Sequence, residues 1–360
     1  MRFRRVLAAI AATVVAAGSS ACLESGEHET VPAARVQAAG TTLTRDGAPW
    51  WPVGLNAYQL ATDWSINSGC GAEVDLDRFF GALPAGSLIR FNAFESFARS
   101  RVGGGVDYRP IDAVFDAAER HGQLLIPVLT AFDGSCADEV YKDREWFVSG
   151  WREPEPGTDF SYEGWVNAAV DRWKGSPTIA MWELIGEPEP LVGEQCPPDA
   201  GEVLRRFVDD VGAIVRGIDP AHPITVGTVG AGQCGTAGEE FADLLRSPYV
   251  DVAQYHDYEA DGVPLPGSGA DGLEARLRQS RDVGKPLLVA EIGQNAAASG
   301  ACATPSARFA DVRRKIDGQR EAGTAGALFW AFVPDPRIDE CTFDIGIDDP
   351  LISLVGAPRS

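Results

Sequence analysis

The feature that most limits what this chain can fold into is a rhythm. Eight short apolar runs alternate with helical patterns from residue 51 onward: 51–55, 88–91, 124–129, 179–185, 224–227, 250–255, 287–290 and 325–329. Apolar runs of this length, bounded by Gly, Pro or polar residues, read as strands buried on both faces, as in parallel sheets. Between them Val203, Phe207, Val211, Ile214 and Ile218 recur at helical spacing. So do Ile111, Val114, Phe115 and Ala118; Trp165, Val166, Ala169, Val170 and Trp173; and Phe309, Val312 and Ile316. Eight such units with no linker-like break after residue 40 predict an α/β fold, a (β/α)8 TIM barrel in one domain over residues 41–360. A doubly wound open sheet is the alternative, but it rarely runs to eight units. No Gly-rich phosphate loop follows a strand, which argues against nucleotide binding.

In such a barrel, ligands gather at the carboxyl ends of the strands. Two runs end there in glutamate. Residues 178–189 read TIAMWELIGEPE, and Pro188 cannot continue a sheet ladder, so Glu187 stands at the strand's end. Residues 285–293 read KPLLVAEIG, with Glu291 in the same place. Glu183 and Glu189 compete with Glu187, but the first lies inside the strand and the second beyond the proline. Paired carboxyl groups suit glycosidic-bond cleavage: one protonates the leaving oxygen, and the other attacks the anomeric carbon or activates water. A structural carboxylate bonded to a loop arginine is the plainer reading of either residue. Other strand ends carry Asn56, Arg90, His256 with Tyr258, and Trp330. Arg90 can lower a neighbouring carboxylate's pKa, His256 and Tyr258 can hydrogen-bond a nucleophile or a sugar, and Trp330 can floor a sugar ring. Trp64, Trp146 and Trp151 lie in loops after strands, where aromatics suit sugar stacking.

Asn56, Arg90, Glu187-Pro188, His256/Tyr258, Glu291 and Trp330 fall on strands one, two, four, six, seven and eight. In that order they resemble glycoside hydrolase family 5, the cellulase and β-mannanase family within the clan of retaining (β/α)8 glycosidases. The resemblance covers roughly residues 42–340. It implies Glu187 as acid/base, Glu291 as nucleophile, and Asn56, Arg90, His256, Tyr258 and Trp330 as substrate-binding, on a β-linked glucan or mannan. Loop 130–133 is more similar to the mannanase members. Two departures stand out. The family has Asn before the acid/base, bonded to the sugar 2-hydroxyl, where this chain has Gly186; Asn92 or Gln294 can take that contact over. Many members also carry a His after strand three, where this chain has Thr130-Ala131-Phe132. Gly186 favours the rival reading, a catalytically weak or inactive carbohydrate-binding surface lipoprotein; the retained carboxylate pair disfavours it. A metal-dependent hydrolase would need His and Asp ligands that the motifs do not supply, so no metal and no cofactor is expected.

The net charge of −21 and pI of about 4.6 repel nucleic acid and anionic lipid, and fit an uncharged substrate. The partner expected is carbohydrate, the chain a monomer, and contact with a membrane limited to an N-terminal lipid. Residues 1–22 read as an export signal: Arg2, Arg4 and Arg5, then an apolar stretch 6–17, then small residues leading to Cys22. Lipidation of Cys22 is one outcome and ordinary cleavage the other, and both make the chain extracellular or cell-surface. Residues 23–40 read as a flexible tether, and 42–51 as a hairpin turning at Arg45-Asp46-Gly47 beneath the barrel. The remaining six cysteines, Cys70, Cys136, Cys196, Cys234, Cys302 and Cys341, all fall in loops after strands. An even number in an exported chain implies three disulfides, with 15 possible pairings. The pairing expected is 70–136, 196–234 and 302–341.

Overall fold

A computed structural model describes residues 35–356, apart from 137, 139 and 155–159. The export signal, Cys22 and most of the tether therefore lie outside the described residues. Among those described, no helix is long and apolar enough to cross a membrane.

The described chain opens with a small antiparallel sheet, β1 (Val36–Ala39), β2 (Thr42–Arg45) and β3 (Ala48–Trp50). The expected hairpin is β2–β3, turning at Asp46 and Gly47, both with positive φ. Residues 36–39, expected as tether, are strand. Val36–Ala39 pairs along β2, because Val36 is fully buried with Leu43 under the barrel floor. Arg35 adds an ion pair to Asp46. A short polar stretch becomes strand when one apolar side chain has a core to enter.

The barrel strands are β4 (Val53–Asn56), β5 (Leu88–Asn92), β6 (Leu124–Val128), β7 (Trp182–Gly186), β8 (Ile224–Gly227), β9 (Ala253–Asp257), β10 (Leu287–Ile292) and β11 (Ala327–Phe329). They answer the eight runs one for one. All neighbours are parallel and follow chain order around the ring, with β11 beside β4. The seam between β8 and β9 is closed by a parallel bridge from Thr225 to Val252. Closure rules out the open sheet. The intervening helices are α1 (Leu76–Gly81), α2 (Arg109–Arg120), α3 (Arg144–Val148), α4 (Tyr162–Trp173), α5 (Ala200–Ile218), α6 (Glu240–Leu245), α7 (Leu273–Val283) and α8 (Pro305–Glu321).

Two apolar layers follow from the strand pleat. Leu88, Leu124, Ile126, Leu288, Ala290 and Leu328 point inward and meet Val36 and Leu43 from the basal sheet. Ile89, Leu125, Leu287 and Val289 point outward to the helices. Packing inside is tight: a methyl group at Gly54 would lie 1.9 Å from Leu88 O. The three disulfides are Cys70–Cys136, Cys196–Cys234 and Cys302–Cys341, as the placement of the cysteines implied.

Candidate active site

The inward phase that fills the barrel below places polar groups above it. On β5, Leu88 is core and Arg90, two residues on, is the first polar layer. Arg90 lies at the centre of a buried network. Its Nε and Nη2 donate to the two oxygens of Glu183 at 2.7 and 2.6 Å, and its Nη1 donates to Glu291 Oε1 at 2.6 Å and Asn56 Oδ1 at 2.9 Å. Gln254 Nε2 adds 2.8 Å to Glu183 Oε2. Burial pulls the guanidinium's pKa down, but Glu183, then Glu291 and Glu187, hold it well above its ordinary value.

Glu291 reaches this layer through a break in register. Val289 pairs with Tyr255, yet Glu291 pairs with His256, so β10 carries one extra residue there. With strict alternation Ala290 and Glu291 would face opposite ways; the irregularity turns Glu291 inward. There Tyr258 Oη donates to Glu291 Oε2 at 2.5 Å. A second shift lies on β7 between Glu183 and Gly186. It leads to Glu187, held at φ 50° in the left-handed region that non-glycine residues enter at a cost. Its N–H donates to Gly227 O at 2.7 Å, and Gly186 N–H to Thr130 O at 2.8 Å.

His256 sits between the two glutamates. Its Nδ1 is 2.6 Å from Glu187 Oε1 and 3.5 Å from Glu291 Oε1. Burial lowers the imidazole's pKa, but the charges of Glu291 and Glu187 outweigh it and raise the group above its ordinary value. Burial would raise Glu187, but the His256 bond, with Arg90 behind it, brings it below its usual range. Glu291 is pushed up, by burial first and also by Glu187, against His256, Arg90 and Tyr258. One oxygen of Glu187, one of Glu291 and a nitrogen of His256 lie within 4.8 Å of one another. Such a trio can grip a divalent cation. Here Arg90 and the imidazole already place positive charge against both carboxylates.

Above the carboxylates opens a cleft of about 610 Å3. Trp330 forms part of its lining, stacked on Tyr58 at 5.5 Å and 17°. Phe343 meets Tyr258 edge-on on the same side. Phe132, Asp133, Ser135 and the Cys70–Cys136 disulfide also line it.

Of the residues singled out from sequence, Arg90, Glu187, Tyr258, Glu291 and Trp330 meet at this cleft. Asn56 does not reach it. It is 1% exposed, accepts from Arg90, and donates to Ala290 O and Phe329 O, so it positions Arg90 rather than touching a ligand. His256, 2% exposed, acts beneath Glu187. Glu183 is fully buried, and Glu189 accepts from Cys234 N–H. Gln294 turns away to Asp311, whereas Asn92 lines the cleft. Trp146 and Trp151 are buried against Phe207, so they pack the core and bind no sugar; Trp64 is 53% exposed. Gln254 and Tyr58 belong to the site too, though no motif in the chain marks them. The signal for Gln254 was its place two residues before His256, on the same strand face.

No family model matches the chain. It is 28% identical to a putative mannan endo-1,4-β-mannosidase 9 of Oryza sativa subsp. japonica, over 90% of this chain and 86% of the rice protein. It is 25% identical to the mannan endo-1,4-β-mannosidase 7 of Arabidopsis thaliana, over 86% and 80% of the two chains. The match to the mannan endo-1,4-β-mannosidase F of Aspergillus clavatus, also 28% identical, spans 51% of this chain and 43% of that protein. Among solved structures, the endo-1,4-β-mannanase of Rhizomucor miehei superposes with a TM-score of 0.63 at 19% identity, over 88% of this chain and 96% of that one. That structure carries the same barrel.

Proposed function

We propose that this chain, a relative of the mannan endo-1,4-β-mannosidases and similar to glycoside hydrolase family 5, is a retaining O-glycosyl hydrolase that cleaves β-1,4-linked mannan internally. The observation that carries the stereochemistry is the approach of Glu187 and Glu291 to within 4.8 Å. That spacing suits a nucleophile acting on the sugar directly, whereas inverting enzymes keep their carboxyl groups further apart to admit a water. Glu291 is assigned as nucleophile, because Arg90 Nη1 and Tyr258 Oη fix its two oxygens. Glu187, half-exposed at the cleft, is assigned as acid/base. Substrate binding falls to Arg90, Tyr258 and Trp330. The intact network around Glu291 speaks against a pure binding protein, which needs no buried carboxylate pair. We further infer that residues 1–22 export the chain, with Cys22 as a lipid anchor.

The resting ionisation is the reverse of what the first step needs: the bond to His256 favours Glu187 as carboxylate, while burial favours a proton on Glu291. The short His256–Glu187 bond resolves this. Movement of the bridging proton from Nδ1 onto Oε1 leaves a neutral imidazole and a Glu187 able to protonate the leaving oxygen. Above its raised pKa Glu291 has given its own proton to solvent, and Arg90 and Tyr258 hold the carboxylate for attack. In the second step Glu187 takes a proton from water. The active form needs that shared proton, and it is lost only at the raised pKa of His256. The alkaline limb of kcat/KM is therefore expected above 6.5, the ordinary histidine value. In His256→Asn the proton rests on Glu187 alone, and the limb moves to lower pH; an unmoved limb refutes the shared proton.

Gly186 gives a second expectation. A methyl group there would meet Arg90 Nη2 at 3.3 Å and Ala131 Cβ at 3.8 Å. Asn fits if the guanidinium yields a few tenths of an ångström, and its amide then faces the sugar. Gly186→Asn is expected to raise kcat on mannan about tenfold, the value of one transition-state hydrogen bond. A fall in kcat would show that the Arg90 clamp does not yield.

The deciding experiment is hydrolysis of β-1,4-mannan, cellulose and xylan by the disulfide-intact protein, with the anomer of the product followed by NMR. Release of β-configured oligosaccharides from mannan is expected. An α product would refute retention, and preference for cellulose or xylan would refute the substrate class.

A further inference from the structure

Tyr258 Oη fixes one oxygen of Glu291, yet Tyr258 itself lies beyond the sheet, because β9 ends at Asp257. Its ring rests against Gly293, where a methyl group would stand 2.1 Å from Tyr258 Cε1. Phe343 meets the ring edge-on at 5.3 Å. These contacts steer the ring. The backbone that carries it is held from the other side of the barrel wall.

Strand alternation on β9 turns Gln254 and His256 inward, to Glu183 and Glu187, and Tyr255 and Asp257 outward. On the outer side α8 brings Lys315 and Gln319, one turn apart on the same face. Lys315 Nζ donates to Asp257 Oδ1 at 2.8 Å and to Glu259 O at 3.3 Å. Gln319 Nε2 donates to Asp257 Oδ2 at 2.6 Å, and Glu259 N–H to Asp257 Oδ1 at 3.1 Å. Tyr255 Oη adds a bond of 2.9 Å to Glu259 Oε1. The Lys315 and Asp257 side chains are only 3% and 4% exposed.

A buried ion pair is a poor source of stability, since taking both charges out of water offsets most of their attraction. What this pair supplies is geometry. One ammonium group grips the residues on both sides of Tyr258. We propose that Lys315 is a positioning residue for the glycosidase reaction: by stapling Asp257 to Glu259 it keeps Tyr258 Oη on the Glu291 carboxylate. The inference rests on the retaining-hydrolase reading. Lys315 acts through Tyr258 and touches no reacting atom.

The test is the pH profile of kcat/KM on β-1,4-mannan. Glu291 faces Arg90 from β5, His256 from β9, Glu187 after β7, and Tyr258. Donation from Tyr258 favours the carboxylate, so losing it raises Glu291 and moves the acid limb to higher pH. Lys315→Met is expected to lower kcat/KM about tenfold and to move that limb up by about one pH unit. Tyr258→Phe should do the same, and adding Lys315→Met to it should bring no further shift. Lys315→Met with Asp257→Asn leaves no unpaired charge to unfold the chain, and should show the same displaced limb. A limb that moves in Tyr258→Phe but stays in place in both Lys315 variants overturns the positioning role and leaves the hydrolase reading standing. A Lys315→Met shift that persists in the Tyr258→Phe background also overturns it, since the lost charge would then act directly. Absence of turnover on mannan by the unaltered protein overturns the hydrolase reading, and the role of Lys315 with it.

Discussion

Glu291→Ala is expected to lower kcat on mannan by about 10^4-fold or more, the scale on which loss of a covalent nucleophile is felt. The fold should tolerate the change, because Arg90 keeps its two bonds to Glu183. Azide fits the space left by the carboxylate and attacks from the same side, so α-mannosyl azide should accumulate. Glu187→Ala should behave differently. Loss of a general acid costs about 10^2–10^4-fold, and an aryl mannoside, whose leaving group needs no proton, should lose far less than mannan does. In that variant azide should give the β-mannosyl azide, since the nucleophile remains. A β-azide from Glu291→Ala and an α-azide from Glu187→Ala would show that the roles are reversed.

Glu183→Ala should damage stability most. Glu183 is fully buried, and both its oxygens accept from Arg90. Removing one partner of a buried charge pair costs about 3–5 kcal/mol, because the other charge stays in a poorly solvating site. For a chain of this size that lowers Tm by roughly 10 °C, readable by calorimetry or urea denaturation. Activity should fall as well, since Arg90 also holds Glu291 and leans on Asn56. Glu183→Gln keeps the shape and should fall between the two. A variant that keeps full stability but loses all turnover would instead make Glu183 the proton donor.

Much of this site was legible in the chain. The eight runs became eight strands because a parallel strand buried on both faces has to be continuously apolar, and that leaves a mark no surface strand shares. The six cysteines joined as expected because all stood in loops on one face of the barrel, where short-range pairs are within reach. Asn56 was legible as a strand-end residue but not as one buried under the site. Its depth depends on the stagger of β4 against β5 and β11, which no local pattern records. Trp146 and Trp151 stood in the right loops and went inward, because α5 offered Phe207 as a packing partner.

The layer structure is written in the chain: which segments are strands, which glutamates crown them, and which face carries the loops. These follow from periodicity and from the residues that stop a strand. Which way the crowning residues point is settled by the packing of strands against one another. Glu291 turns inward through a one-residue shift on β10, and Glu187 through a left-handed φ after a second shift on β7. A shift of one residue reverses a side chain's face at little local cost. Its sign is set by neighbouring strands that lie far away in the chain, and the same neighbours bring His256 and Arg90 to the carboxylates.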